Sequence, residues 1–263
     1  MSDSSIDFQK VFRYAQYAHA AYDTPDSLKQ QFSNLVTVQT TSRDVQFFVI
    51  TDQQKKEQIV SVRGTSNFEN FWQDGEYVHT YNQQLGVYLH HGFNVDAQQV
   101  YQQLMPSMNK QFTTVLTGHS LGAAIAVVLM MYFQKEGYPL APTYNFGQPK
   151  LTNKAGSIQF ESLPVIRVVD EEDLVPLLPP TDLIDLIHGG YVHLGEEVLL
   201  LNKQYYAFEI QSIARQQSVA SLWKNRGHES LKAHYMANYL ANLEGKIQGA
   251  EVVSYEDRWQ YEE

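Results

Sequence analysis

The chain has no cysteine among its 263 residues. Disulfide bonds, thiolate metal sites and a cysteine nucleophile are therefore excluded, and the composition fits a reducing compartment. The polar, acidic segment 1–10 also lacks the charged start and apolar run of a signal peptide. We therefore expect a cytoplasmic protein, or a secreted one whose signal peptide has been removed.

Long apolar runs and an excess of positive charge are also missing. The longest apolar run, Ala123–Phe133, is well below the roughly 20 residues that span a bilayer, so no transmembrane segment is expected. The net charge of −10 disfavours nucleic acid and anionic membrane surfaces as partners. A neutral substrate is compatible with this charge.

The composition is that of a globular protein, with 43% hydrophobic and 18% charged residues, and the chain has neither repeats nor a long linker. We expect one domain over residues 1–263. Residue periodicity predicts helices at 11–22, 92–110, 121–135 and 230–243, and strands at 45–51, 58–63, 112–117, 143–146, 165–169, 191–201 and 204–210. This alternation predicts an α/β fold with a mostly parallel central sheet, and the early hairpin predicts an antiparallel edge.

A serine lies where the predicted strand 112–117 gives way to the helix 121–135, in the sequence Gly118-His119-Ser120-Leu121-Gly122. G-x-S-x-G between a strand and a helix is typical of an α/β-hydrolase nucleophile. Side chains two residues before and after the serine would clash in so sharp a turn, and glycine removes both. The helix N-terminus directs N–H groups and positive dipole at the reaction centre. A chance match is the alternative, and the flanking apolar segments disfavour it.

A serine nucleophile needs a general base and an orienting acid, which in α/β-hydrolases follow it in the order acid, then histidine. The predicted strand 165–169 runs into a segment with four acids, and four histidines come after it. The acids are Asp170, Glu171, Glu172 and Asp173, and the histidines are His188, His193, His228 and His234. Chain order alone leaves the choice among them open.

Seven sequence blocks, in order, resemble the class 3 lipases, the family of filamentous-fungal triacylglycerol lipases and their bacterial and plant relatives. The blocks are SVRGT (61–65), HHGF (90–93), TGHSLGAA (117–124), YNFGQPK (144–150), RVVDEEDLVPLLPP (167–180), YVHLGEE (191–197) and AHYMANYL (233–240). Several blocks in the right order are more specific than any one of them. The resemblance covers most of the chain and implies an α/β-hydrolase fold.

The resemblance also implies the other two members of a catalytic triad. The family's acid lies in the pattern R-V-x-x-x-x-D-x-V-P, which falls on Asp173. Its histidine opens a late helix in a pattern resembling H-x-x-x-x-Y-L, which falls on His234. His228 is the rival, but it lacks the trailing tyrosine. His193 matches a histidine in the family's Y-x-H-x-G block and is interpreted as structural.

An oxyanion hole requires two preorganised donors near the developing negative charge. The backbone N–H of Leu121, the residue after the nucleophile, is expected to be one of them. The resemblance assigns the other to Thr65, in the family's R-G-S/T loop. An ordinary glycine turn is the alternative for this loop.

In fungal members of the family a mobile lid follows this loop, and here the corresponding segment is SNFENFWQDGEY. Phe68, Phe71 and Trp72 place large rings among polar residues at the spacing of one helix face, so they are candidates for a lid that binds lipid. Core packing is the alternative for these rings. The chain differs from fungal members in lacking their disulfides and their D-H-L form around the histidine.

Apolar residues directly after Asp173 are candidates for substrate binding, since they could line an acyl pocket. They are Leu174, Val175, Leu177 and Leu178, at the start of the leucine- and isoleucine-rich stretch that ends at Ile187. A short core helix is the alternative.

These residues together predict a serine carboxylic ester hydrolase, and in the first place a lipase that cleaves acylglycerol-type esters through an acyl-enzyme. Phospholipase A1 and feruloyl-type esterases, which the same family includes, are the alternatives. A non-catalytic lipase-like binding protein is disfavoured because Ser120, Asp173, His234 and Thr65 are all present. The reaction needs no cofactor and no metal. The expected partners are a lipid or other ester substrate and, transiently, a lipid interface.

Overall fold

The computed structural model describes residues 6–65, 77–179, 189–209 and 232–261. Its helices are α1 (Phe8–Ala20), α2 (Pro25–Gln31), α3 (His91–Leu104), α4 (Leu121–Lys135), α5 (Lys154–Gln159) and α6 (Met236–Ile247). Its strands are β1 (Leu35–Thr40), β2 (Gln46–Asp52), β3 (Glu57–Val62), β4 (His79–Asn82), β5 (Val87–His90), β6 (Thr113–His119), β7 (Thr143–Phe146), β8 (Val165–Asp170), β9 (Glu196–Leu200), β10 (Tyr205–Glu209) and β11 (Glu251–Val253). Short 3₁₀ helices lie at Met105–Ser107, Val175–Leu177 and Tyr255–Tyr261.

One nine-stranded sheet has the strand order β1-β2-β3-β6-β7-β8-β9-β10-β11. Its centre, from β3 through β6, β7 and β8 to β9, is parallel. The β1-β2-β3 edge is antiparallel, as is the β9–β10 pair, while β4 and β5 form a separate hairpin. The predicted α/β fold with a mostly parallel centre and an antiparallel edge is therefore confirmed.

The hydrophobic core lies on both faces of this sheet, because successive side chains of a strand point to opposite faces. Along β2, Phe47 and Val49 belong to one buried cluster, whereas Phe48 and Ile50 belong to the other. The first cluster contains α4, which is apolar on every side and is buried from Leu121 to Phe133. The second contains the apolar faces of α1 and α6. The helices thus cover both faces of the sheet.

The periodicity of the sequence did not predict several of the helices and strands. The helix α2 is one of them, although Thr24 accepts a hydrogen bond from the Ser27 backbone N–H and Pro25 occupies the first turn, which together form a readable helix start. The strands β1, β4, β5 and β11 were also missed. Each has six residues or fewer and lies at a sheet edge or in the small hairpin, where no strict alternation of apolar residues is required.

The late helix differs from its predicted position at 230–243. It begins at Met236, and the residue before it, Tyr235, is extended with φ −68° and ψ 137°. His234 therefore lies in the turn ahead of α6 and does not open the helix itself.

The predicted single domain stays a prediction, which the continuity of one sheet from β1 to β11 supports. None of the helices in the described ranges is both long and apolar enough to cross a membrane.

A buried ion pair joins two central strands. Arg167 on β8 and Glu197 on β9 are register partners, and the Arg167 Nη1 donates to Glu197 Oε2 at 2.8 Å. The Arg167 side chain is fully buried, and the second carboxylate oxygen of Glu197 accepts from the Tyr255 hydroxyl at 3.1 Å. Removing the carboxylate would leave an uncompensated charge inside the sheet.

We expect Glu197→Gln to lower the free energy of unfolding by about 3–5 kcal/mol, because the buried guanidinium loses its counter-charge. Urea unfolding followed by circular dichroism measures this loss. The matched control is Asp26→Asn, which breaks the exposed pair between Asp26 and Lys29 and should change the stability by about 0.5 kcal/mol or less. Equal effects of the two substitutions would contradict the assignment of the buried pair.

Candidate active site

The serine turn lies between β6 and α4. Ser120 has φ 57° and ψ −130°, a backbone conformation that L-residues rarely adopt. A Cβ on Gly118 would lie 2.5 Å from the Gly122 carbonyl carbon, and a Cβ on Gly122 would overlap the Val62 carbonyl oxygen. Both glycines are therefore required by close backbone approach, as the sequence predicted. The turn places Ser120 beyond the carboxyl end of a central parallel strand, where ligands bind in open α/β sheets.

The Ser120 hydroxyl is not used to hold the local structure. Serine at this position of a helix commonly caps the first turn, but Ser120 makes no such bond to α4. Its backbone N–H donates to the Phe146 carbonyl at 2.9 Å, whereas its buried Oγ forms no hydrogen bond with any described residue. Within the described residues, no hydrogen bond of its own therefore holds the Ser120 side chain.

Asp173 and His234 form a buried pair. The His234 Nδ1 lies 2.7 Å from Asp173 Oδ2, and neither residue is more than 3% exposed. The same carboxylate oxygen accepts from the Tyr239 hydroxyl at 2.6 Å, while Oδ1 accepts from the Val175 backbone N–H at 2.9 Å. The carboxylate is therefore held by three contacts, one of which is the histidine.

The hydrogen bond from Tyr239 to Asp173 was not predicted from the sequence. There Tyr239 served only as the tyrosine of the pattern H-x-x-x-x-Y-L. Burial raises the pKa of its phenol well above the usual value, and the charges of Asp173 and Asp170 raise that pKa further. The phenol therefore keeps its proton and donates to Asp173. Its oxygen also accepts from the Asp170 backbone N–H at 3.1 Å, which ties the end of β8 to α6.

Gly147 is a second missed residue. It has φ +56°, and a Cβ at this position would lie 2.8 Å from His234 Cε1 and 2.9 Å from Asp173 Oδ2. A side chain here would collide with both members of the pair. The signal was present in the block YNFGQPK, but the sequence alone does not say what the glycine faces.

Of the rival acids, Asp170 is engaged elsewhere and Glu172 faces solvent. Asp170 accepts from the Asn242 side chain at 3.0 Å and from the Glu172 backbone N–H at 3.2 Å, on the side that faces α6. Burial raises the pKa of the Asp170 carboxyl to about 6, although these hydrogen bonds oppose the rise. Glu172 is exposed. In the structure only Asp173 of these acids is hydrogen-bonded to the described His234.

Among the rival histidines, His193 lies within the described residues near the candidate site. Its Nε2 is 2.7 Å from the carbonyl oxygen of Pro176, three residues after Asp173. Burial lowers the pKa of His193 well below its usual value, and Arg167 adds to this effect. His193 is therefore a neutral ring that holds the turn after Asp173. His188 and His228 lie outside the described residues.

The loop Arg63-Gly64-Thr65 lies directly against the serine turn. A Cβ on Gly64 would be 3.1 Å from Ser120 Cβ and 2.8 Å from the His119 carbonyl oxygen. The loop is anchored at its start, where the Arg63 backbone N–H donates to Gln46 O at 2.8 Å and the Arg63 guanidinium pairs with Asp44. This contact places Gly64, the residue before Thr65, against the serine turn. Their oxyanion role stays a prediction.

The candidate lid residues Phe68, Phe71 and Trp72 lie outside the described residues. The four apolar residues after the acid are buried in the same hydrophobic cluster as α4: Leu174, Val175, Leu177 and Leu178. They lie in and around a single 3₁₀ turn, which agrees with the core alternative, although no regular helix forms there. Their contribution to an acyl pocket stays a prediction.

Comparison with known proteins finds similarity to lipases. A family model described as Lipase (class 3) matches residues 59–183. The chain is 30% identical over 227 residues to the secreted mono- and diacylglycerol lipase 1 of Fusarium solani, covering 75% of this chain and 66% of that protein. It is also 30% identical over 174 residues to a lipase of Rhizomucor miehei, covering 61% of this chain and 46% of that protein.

Among solved structures, a lipase from Rhizopus microsporus var. chinensis superposes with a TM-score of 0.61 and 26% sequence identity, covering 73% of this chain and 74% of that one. The chain thus spans about two thirds of the Fusarium relative and under half of the Rhizomucor relative. The matched residues include the Arg63-Gly64-Thr65 loop, the serine turn and Asp173. With the sequence blocks, the α/β fold and these matches in agreement, the chain belongs to the class 3 lipase family.

Proposed function

We propose that this chain is a serine carboxylic ester hydrolase, and specifically a lipase acting on acylglycerol-type esters. The observation that carries the proposal is the buried Asp173–His234 hydrogen bond beside the strained turn that holds Ser120. A buried acid bonded to a histidine next to a serine is the arrangement that generates a serine nucleophile. The names of the Fusarium and Rhizomucor relatives support lipid esters as the substrate class.

In the proposed acylation step, the Ser120 Oγ attacks the ester carbonyl carbon. His234 accepts the hydroxyl proton at Nε2, the ring nitrogen opposite the one that faces Asp173. The carboxylate of Asp173 stabilises the imidazolium that forms and keeps the ring oriented. The backbone N–H groups of Thr65 and Leu121 bind the negative oxygen of the tetrahedral intermediate. Collapse of that intermediate expels the alcohol, which takes the proton back from His234.

Deacylation repeats the sequence with water as the nucleophile. His234 takes a proton from water, the resulting hydroxide attacks the acyl carbon, and the carboxylic acid leaves as Ser120 recovers its proton. Every proton transfer passes through one ring nitrogen. The mechanism does not require a hydrogen bond between Ser120 Oγ and His234 Nε2 in the resting enzyme, because catalytic hydrogen bonds often tighten only when substrate binds.

Substrate class is tested by a panel. We expect hydrolysis of p-nitrophenyl esters of graded chain length, with mono-, di- and triacylglycerol emulsions cleaved as well. Phosphatidylcholine vesicles and methyl ferulate are the comparison substrates. Cleavage of phospholipid or ferulate in preference to acylglycerol would assign the site to a phospholipase A1 or to a feruloyl esterase instead.

The two expected locations now differ in their support. The Fusarium relative is named a secreted lipase, so the comparison favours the secreted alternative and gives no support to the cytoplasmic one. We therefore propose that the protein acts outside the cytoplasm. Measurement of esterase activity in culture medium and in cell extract decides between the two.

The nucleophile is tested by Ser120→Ala. Removing the hydroxyl should lower turnover by on the order of a million-fold and abolish covalent labelling by a serine-directed phosphonate. Circular dichroism should be unchanged, because the Ser120 side chain holds no local structure. Substantial residual activity in a clean preparation would show that another residue is the nucleophile.

Two substitutions separate the late histidines. His234→Ala should be nearly inactive, because it removes the ring that faces Asp173, whereas His228→Ala should retain most of its activity. Initial rates on a soluble p-nitrophenyl ester measure both. The reverse result would assign the general base to His228.

The lid hypothesis is tested with Phe68 and Phe71. Exposing apolar rings to water costs about 25 cal/mol per Å², and a lipid aggregate can offset this cost by covering them. Activity should therefore rise where a poorly soluble ester passes its solubility limit. The double variant Phe68→Ser/Phe71→Ser should flatten that rise and spare hydrolysis of a short soluble ester. Simple saturation through the solubility limit, with equal loss of both activities in the variant, would identify these rings as core residues.

A further inference from the structure

A series of hydrogen bonds outside the proposed triad connects three parts of the site. It begins at His119, the residue before the nucleophile, and this histidine is only 4% exposed. The His119 Nε2 lies 2.7 Å from the backbone carbonyl oxygen of His234, and its Nδ1 lies 2.7 Å from the Tyr22 hydroxyl. The two imidazole rings are in contact, with centroids 4.4 Å apart. His119 therefore touches the histidine of the proposed triad through both its ring and its Nε2.

The partners of His119 fix its tautomer. A carbonyl oxygen can only accept, so Nε2 must carry the proton. Burial lowers the pKa of His119 well below its usual value, and the neighbouring His234 lowers it further, so the ring is neutral. Nδ1 is then an acceptor, and the Tyr22 hydroxyl donates to it. Each of these two hydrogen bonds has one defined direction.

Tyr22 extends this series of hydrogen bonds to the loop Arg63-Gly64-Thr65, here called the oxyanion loop after its proposed role. Although 36% of Tyr22 is exposed, its hydroxyl faces inward, and a Cβ on Gly64 would overlap it. Burial raises the pKa of the Tyr22 phenol well above its usual value, and a hydrogen bond from the Gly64 backbone N–H partly opposes that rise. The phenol oxygen therefore packs against Gly64, the residue next to Thr65, while its proton is donated to His119.

Gln46 on β2 holds Tyr22 in place. Its side-chain amide donates to the carbonyl oxygens of Ala21 and Asp23, both at 2.8 Å, so the backbone on each side of Tyr22 is fixed. The backbone carbonyl of Gln46 accepts from the Arg63 N–H at 2.8 Å. The buried residue Gln46 thus fixes the position of Tyr22 relative to the start of the oxyanion loop.

We propose that Tyr22 and His119 are positioning residues that fix the oxyanion loop relative to Ser120 and His234. The inference rests on the proposed ester hydrolysis. The oxyanion donors, the nucleophile and the base come from three distant parts of the sequence. Efficient reaction requires their relative positions to be fixed within about 0.5 Å. Neither residue belongs to the proposed triad or to the proposed pair of oxyanion donors. The pair acts by linking Gly64, the serine turn and the His234 backbone.

The decisive substitution is Tyr22→Phe, which removes one oxygen and leaves the ring. We expect kcat per phosphonate-titrated site to fall about 10- to 100-fold, with KM on a soluble ester changed by about twofold or less. Affinity for an alkylboronic acid, whose tetrahedral adduct resembles the transition state, should fall by the same factor as kcat/KM. A residue that only supports folding would lower the number of titrated sites and leave these constants intact.

His119→Phe tests the other half of the pair. It keeps a buried ring and removes both hydrogen bonds. Because the two residues act through one chain, the double variant should lose about as much kcat as the more affected single variant, and the losses should not multiply. Tyr81→Phe is the matched control, since Tyr81 lies on the exposed side of the β4–β5 hairpin and should keep wild-type constants.

A measurement without substrate keeps the inference separate from the proposed function. Amide exchange at Gly64 and Thr65, followed by NMR, should be faster in Tyr22→Phe, and ¹⁵N shifts should place the His119 proton on Nε2 in the wild type. Unchanged exchange, or wild-type kcat and boronate affinity in Tyr22→Phe, would overturn the inference. If the wild-type protein neither hydrolyses esters nor reacts with the phosphonate, the proposed function fails, and the NMR data still decide the link between Tyr22, His119 and the loop.

Discussion

The backbone of Ser120, held at φ 57° and ψ −130° between β6 and α4, is the constraint on which the rest of the site depends. Such a conformation costs on the order of 1–3 kcal/mol and persists only where the surroundings determine it. Here the surroundings are a buried central strand, a helix that is apolar on every side and the Phe146 carbonyl, which accepts from the Ser120 N–H. The burial of β6 and α4 in the two core clusters therefore stabilises a turn that is unfavourable by itself.

Close approach follows from that turn, and glycine is the residue that permits it. The loop Arg63-Gly64-Thr65 reaches the serine turn because Gly64 has no side chain, and the Asp173–His234 pair fits beside β7 because Gly147 has none. In both places a single methyl group would collide with a side chain of the site. The proposed reaction needs a donor loop and a base within reach of one oxygen atom, so these contacts connect the packing of the fold to its chemistry.

The buried carboxylate of Asp173 must be compensated by hydrogen bonds within the site. A carboxylate that is removed from water needs hydrogen bonds to each oxygen, and the structure supplies them from Val175, Tyr239 and His234. Two of these partners follow the acid by more than sixty residues in the chain. The Asp173 carboxylate, which would stabilise the imidazolium, thus also links α6 to the segment that follows β8. Folding and the proposed catalysis therefore depend on the same contacts.

Local sequence determined the strand, the glycine-flanked serine and the apolar helix, because strand and helix periodicity and a tight turn each depend on residues within a few positions of one another. With the block resemblance, it also pointed to Asp173 and His234 among four acids and four histidines. Only the tertiary structure placed that acid against that histidine, since their contact spans 61 positions and depends on where β8 ends and α6 begins. The contact between Tyr22 and His119, 97 positions apart, carries no local signal at all. It exists because α1 and β6 pack against each other, and no periodicity in either segment encodes that neighbour.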